Sequence, residues 1–137
     1  MRRPASRDAV VVSVPARPAY VSLIRAVTAS VASRVPLSFD AIEDLMLAVD
    51  EGCARLLAVA AGATRMQLRL TAFDDRLEAA VSIDAEVAPW PPPGIEETFS
   101  WRVLSALVDS VSLDADGGPT VRMRKSRVEP SVPSEAP

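Results

Sequence analysis

Between Ser38 and Gly62 apolar residues stand at Phe39, Ile42, Leu45, Met46, Val49, Cys53, Leu56, Leu57 and Ala60. That three-or-four spacing is one continuous face of a long helix. Ser38 is placed to cap it, and Asp40, Glu43 and Asp44 sit where the positive end of the helix dipole favours carboxylates. Gly62 supplies the stop. A helix with so broad an apolar face requires a second layer to cover it, and the rest of the chain must provide that layer.

The flanking patterns supply a sheet. Residues 9–14 form a β-branched run ended by Pro15, which predicts a strand. Pro18 suits the first turn of a helix along which Tyr20, Leu23, Ile24, Val27 and Val31 recur until Pro36. After the central helix, residues 64–72 and 77–83 alternate polar and apolar around the turn Asp74, Asp75 and Arg76, a β-hairpin. Residues 85–94 hold Pro89, Pro91, Pro92 and Pro93 and must be a loop. A third helix is expected over residues 96–109, and a closing hairpin from residues 111–114 and 120–125 about Asp116, Gly117 and Gly118. The order β α α β β α β β predicts an α+β, two-layer sandwich, with helices on one face of a mixed, mainly antiparallel sheet. Residues 8–125 are expected to form one domain. Residues 1–7, polar and basic, and 126–137, rich in proline and serine, are expected to be disordered.

Composition removes several function classes. The chain has no histidine, which excludes a His-based triad, a histidine zinc site and a phosphohistidine relay. Glycine occurs only at 52, 62, 94, 117 and 118, so neither GxGxxG nor GxxxxGK[ST] is present. A net charge of -3 disfavours nucleic acid as the main partner. One cysteine allows no internal disulfide. Met1, Arg2 and Arg3 lead into Pro4 and polar residues, unlike a secretory signal, and no run is long enough to span a bilayer. A cytoplasmic protein is expected.

Few residues suggest chemistry. Glu51, beside Asp50 in mid-helix, is a candidate acid or base, but Arg55 stands four residues on in the geometry of a surface ion pair. Cys53 lies on the apolar stripe and reads as a small hydrophobe. Asp84 ends a strand before the proline loop, where it meets a ligand or merely solvates the strand end. Trp90 and Trp101 cover a pocket or an interface, or, for Trp101, pack with Leu104, Leu107 and Val108. Arg65 and Arg69 share one strand face, read as a solvated sheet surface.

Three stretches, VPARPAYVSLIRAVTASV from residue 14, FDAIEDLMLAVDEGCARLL from residue 39 and TFSWRVLSALVDSVSL from residue 98, resemble in order and spacing the SpoIIAB/RsbW group of anti-sigma factors. These are small members of the GHKL, or histidine-kinase-like, ATPase superfamily, and the last two stretches look most like its actinobacterial branch. The resemblance implies the Bergerat fold. It also implies a nucleotide site whose glutamate base matches Glu51 and whose Mg²⁺-holding asparagine falls on Arg55, which has donors only and stays charged. Asp84 matches the adenine-reading aspartate of a DxGxG motif whose glycines are replaced by Glu86 and Ala88. The phosphate-wrapping GxG aligns with Thr98, Phe99 and Ser100.

No cofactor is therefore expected, ATP with Mg²⁺ being held only if the altered site still binds. The resemblance also places Arg25 where the family holds its sigma factor, with Asp40, Glu43 and Asp44 as further partner-binding candidates. The leading expectation is an anti-sigma factor, a homodimer, that sequesters an alternative sigma factor and is relieved by an anti-anti-sigma (STAS) protein. An active serine kinase of that protein, with Glu51 as base, is the alternative, and a non-catalytic dimerisation or scaffold module a third.

Overall fold

A computed structural model describes residues 8–127. Strand β1, Asp8–Pro15, is followed by a 3₁₀ turn, Pro18–Tyr20, and helices α1, Val21–Ala32, and α2, Phe39–Val59. The hairpin β2, Arg65–Ala72, and β3, Arg76–Ile83, leads through the proline loop to a second 3₁₀ turn, Ile95–Glu97, and α3, Phe99–Leu107. Strands β4, Ser110–Asp114, and β5, Thr120–Ser126, close the chain. The strands lie in the order β1-β2-β3-β5-β4, one five-stranded sheet.

Every neighbouring pair in that sheet is antiparallel, so the sheet expected to be mixed and mainly antiparallel is antiparallel throughout. The reason is topological. One helix between β3 and β4 returns the chain in its original direction, so these two strands run parallel, but β5 is inserted between them and opposes both. The helices cover one face. On it Met66, Leu68 and Leu70 of β2 and Leu77, Val81 and Ile83 of β3 pack against Ile24, Leu45, Val49 and Leu56 of the helices, all at most 2% exposed. Each such side chain contributes about 1.5–3 kcal/mol by leaving water.

The central helix starts as its sequence dictates. The Ala41 amide donates to Ser38 Oγ at 3.0 Å, satisfying one orphan donor of the first turn. Phe39, however, is 73% exposed and does not join the apolar stripe. It is the first residue of the helix, and Ala41 and Leu45 are the first to face the sheet. The third helix is shorter than residues 96–109. Thr98 is extended, with φ -82° and ψ 155°, and its hydroxyl accepts from the Trp101 amide, so α3 begins afresh at Phe99. Val108, equally extended, already leads into β4.

The domain also reaches past residue 125. Ser126 pairs with Arg76, and the Arg127 amide donates to the Asp75 carbonyl at 2.7 Å. Residues 1–7 and 128–137, expected to be disordered, lie outside the described residues.

Candidate functional site

Asp50 and Glu51 are adjacent in sequence and about 100° apart around α2. They therefore serve different neighbours. Arg25 of α1 directs its Nε–H between the two oxygens of Asp50, at 2.9 and 3.0 Å, tying α1 to α2. Arg25 remains 42% exposed. Glu51 turns the other way. Its carboxylate accepts from the Ser100 hydroxyl of α3 and lies 3.6 Å from Arg55 Nε.

Beside this trio is a cavity of about 180 Å³ between α2, α3, the proline loop and the sheet. Arg55 and Ser100 line it together with an apolar wall that includes Trp90, Trp101, Leu104 and Leu113. The Trp90 indole N–H donates to the Asp114 carbonyl at 2.8 Å, which pins the loop across the end of β4. Both tryptophans thus border a pocket. At the α3 N-terminus the Thr98 hydroxyl and carbonyl take the Trp101 and Arg102 amides.

Asp84 is not part of this cluster. One carboxylate oxygen accepts from the Thr64 and Arg65 amides at 2.8 and 2.9 Å and the other from the Thr64 hydroxyl, closing the open end of the β2–β3 hairpin. The Thr64 hydroxyl, then the Arg65 amide, hold its carboxyl below the ordinary value. Cys53 is fully buried, and burial, with the Asp50 charge adding to it, pushes its thiol up to about 12. It is an inert core residue, as its place on the stripe suggested. Arg65 and Arg69 lie on the uncovered face of the sheet, where Arg65 donates to Ser13 at 3.1 Å and to its carbonyl at 2.9 Å. Among the described residues no group of three or more Cys, Asp or Glu is arranged to hold a metal ion.

The acidic stripe divides. Asp44 leans toward Lys125, whose ammonium is 3.3 Å away and also donates to the Leu107 carbonyl at 2.7 Å. Lys125 is 8% exposed, so its charge needs that carboxylate. Asp40 and Glu43 stay exposed, on one helix face with Phe39 and with Leu47, which is 55% exposed. Asp50 continues the same face toward α1.

A family described as the histidine kinase-like ATPase domain matches residues 14–125. Serine-protein kinase RsbW of Bacillus licheniformis is 33% identical over 137 aligned positions, covering 86% of this chain and 85% of the relative. This chain belongs to the RsbW group of histidine kinase-like ATPase domains. The anti-sigma-F factor RsbW of Mycobacterium tuberculosis is 35% identical over 109 positions, 80% of this chain and 63% of that relative. The histidine kinase domain of a blue-light activated histidine kinase from Erythrobacter litoralis shares the fold, with a TM-score of 0.55 at 19% identity over 82% of this chain and 61% of that one.

Glu51, Arg55 and Ser100, which the resemblance expects in one nucleotide site, stand side by side. Two contacts escaped sequence reasoning. The Arg25–Asp50 pair joins residues far apart in sequence, and no local pattern marks it. The Glu51–Ser100 bond has a signal only in the resemblance, which assigns both residues to one nucleotide site.

Proposed function

We propose that this member of the RsbW group is an anti-sigma factor that sequesters an alternative sigma factor by direct contact, and that its nucleotide site has lost the means to run kinase chemistry. The observation that carries the second half is the position of Arg55. A guanidinium 3.6 Å from Glu51 stands where an asparagine would hold Mg²⁺, and it offers a cation donor in place of a ligand. Glu51 Oε2 also accepts from the Ser100 hydroxyl, so that oxygen faces protein donors and not a reacting hydroxyl. The remaining wall is apolar, without free charge or glycine amides for phosphate oxygens. The residues present do not fit a Mg²⁺–triphosphate group.

Sigma binding is supported by the relatives' names and by the exposed face of α2. Phe39 and Leu47 offer apolar anchors, Asp40 and Glu43 offer charge, and Arg25 stands beside Asp50 at the end of that face. Asp50 orients the Arg25 fork while leaving its terminal nitrogens for a carboxylate of the partner. Asp44 holds Lys125 and stays 41% exposed beside that face. A homodimer in the cytoplasm, relieved by an anti-anti-sigma protein, completes the reading. An active serine kinase is the second reading, favoured by the identity to the Bacillus licheniformis serine-protein kinase.

Co-purification with the sigma factors of the same genome tests the proposal. One of them should be retained, and Arg25→Glu should weaken that complex by about 2 kcal/mol or more, roughly thirtyfold, with the circular dichroism spectrum unchanged. Retention of none would rule out the sigma factor as partner, and undiminished binding by the variant would rule out Arg25 as a contact.

A further inference from the structure

The cavity beside Glu51 has properties of its own. Its volume, about 180 Å³, is near that of engineered apolar cavities of about 150 Å³ that take up benzene. Trp90, Trp101, Leu104, Leu113 and Val121 supply wall from the loop, α3 and both closing strands, so the shape is set by four separate elements and does not depend on one mobile side chain. Two polar residues, Arg55 and Ser100, reach it, and each is already engaged by the Glu51 carboxylate.

We propose that this cavity is a binding site for an uncharged, single-ring aromatic molecule. Size sets the upper limit at one ring. Charge sets the rest: a ligand carboxylate or phosphate entering here meets an arginine already matched by Glu51, and it gives up its hydration without gaining a partner. An aromatic hydrocarbon gives up nothing polar and gains contact with two indoles and the aliphatic side chains of Val59, Ile95, Leu104, Leu113 and Val121. The site is separate from the sigma-factor reading, because none of Arg25, Phe39, Asp40, Glu43 and Leu47 lines the cavity.

The two tryptophans of the chain both border the cavity, so intrinsic fluorescence reports its occupancy directly. Toluene titrated into the full-length protein should change the emission saturably and raise the melting temperature, because a ligand held only by the folded state stabilises it. Benzoate, of similar shape but charged, should bind at least about tenfold more weakly. Val59→Phe on α2 and Ile95→Phe in the second 3₁₀ turn each fill the cavity from a different side, Val59 being 42% exposed, and each should abolish the response. The proposal is overturned by an unsaturable toluene response in the parent protein, by benzoate binding as tightly as toluene, or by an unchanged response in whichever filled variant folds.

Discussion

Asp84, which the resemblance expects to read adenine, has a structural job. Its carboxylate takes two amides and a hydroxyl at the open end of the hairpin, and those bonds need the charged form. Unfolded, the group titrates near 3.8, and folded it titrates lower. In the window below 3.8 the unfolded chain binds a proton that the folded chain does not, so stability is present above that value and is lost as pH falls through the folded value. Asp114, held low by Arg122, acts with the same sign. Denaturant titrations of Asp84→Asn across the carboxylate range should show a shallower acid limb than the parent; an identical limb would mean that these hydrogen bonds do not distinguish the folded carboxylate. The position of Asp84 at a strand end was legible in the sequence. Its partners were not, because Thr64 and Arg65 are brought to it by hairpin register alone.

At the scale of the element, α2 was the most readable part of the chain. Its cap, its stripe and its end all follow local rules, and Leu45, Val49, Cys53 and Leu56 are buried as the spacing requires. Phe39 departs from the pattern because periodicity records direction around a helix and not where the helix first meets the sheet. Ser38→Ala removes the acceptor of the Ala41 amide and should cost about 1 kcal/mol in urea unfolding, with an unchanged denaturant slope. No loss would mean that water replaces the cap without penalty. The third helix was less readable: Thr98 interrupts an otherwise helical run, and its capping role depends on a backbone conformation that composition does not announce.

For the whole molecule, the number and order of strands and helices emerged from patterning, while the antiparallel arrangement required knowing that β5 slips between β3 and β4. That arrangement places α3 against α2 and so brings Ser100 to Glu51 and the proline loop over the cavity. The scaffold of the histidine kinase-like ATPase domain is thus retained. Under the proposed function, Arg55 and an apolar wall leave no place for Mg²⁺ and triphosphate, and the protein works through the exposed face of α2. Calorimetric titration with unlabelled ATP and Mg²⁺ tests this most directly, since no fluorophore can enter the apolar cavity and imitate binding. No saturable heat is expected up to millimolar nucleotide; saturable binding at micromolar nucleotide, with phosphate transferred to an anti-anti-sigma protein, would contradict the loss of the nucleotide site.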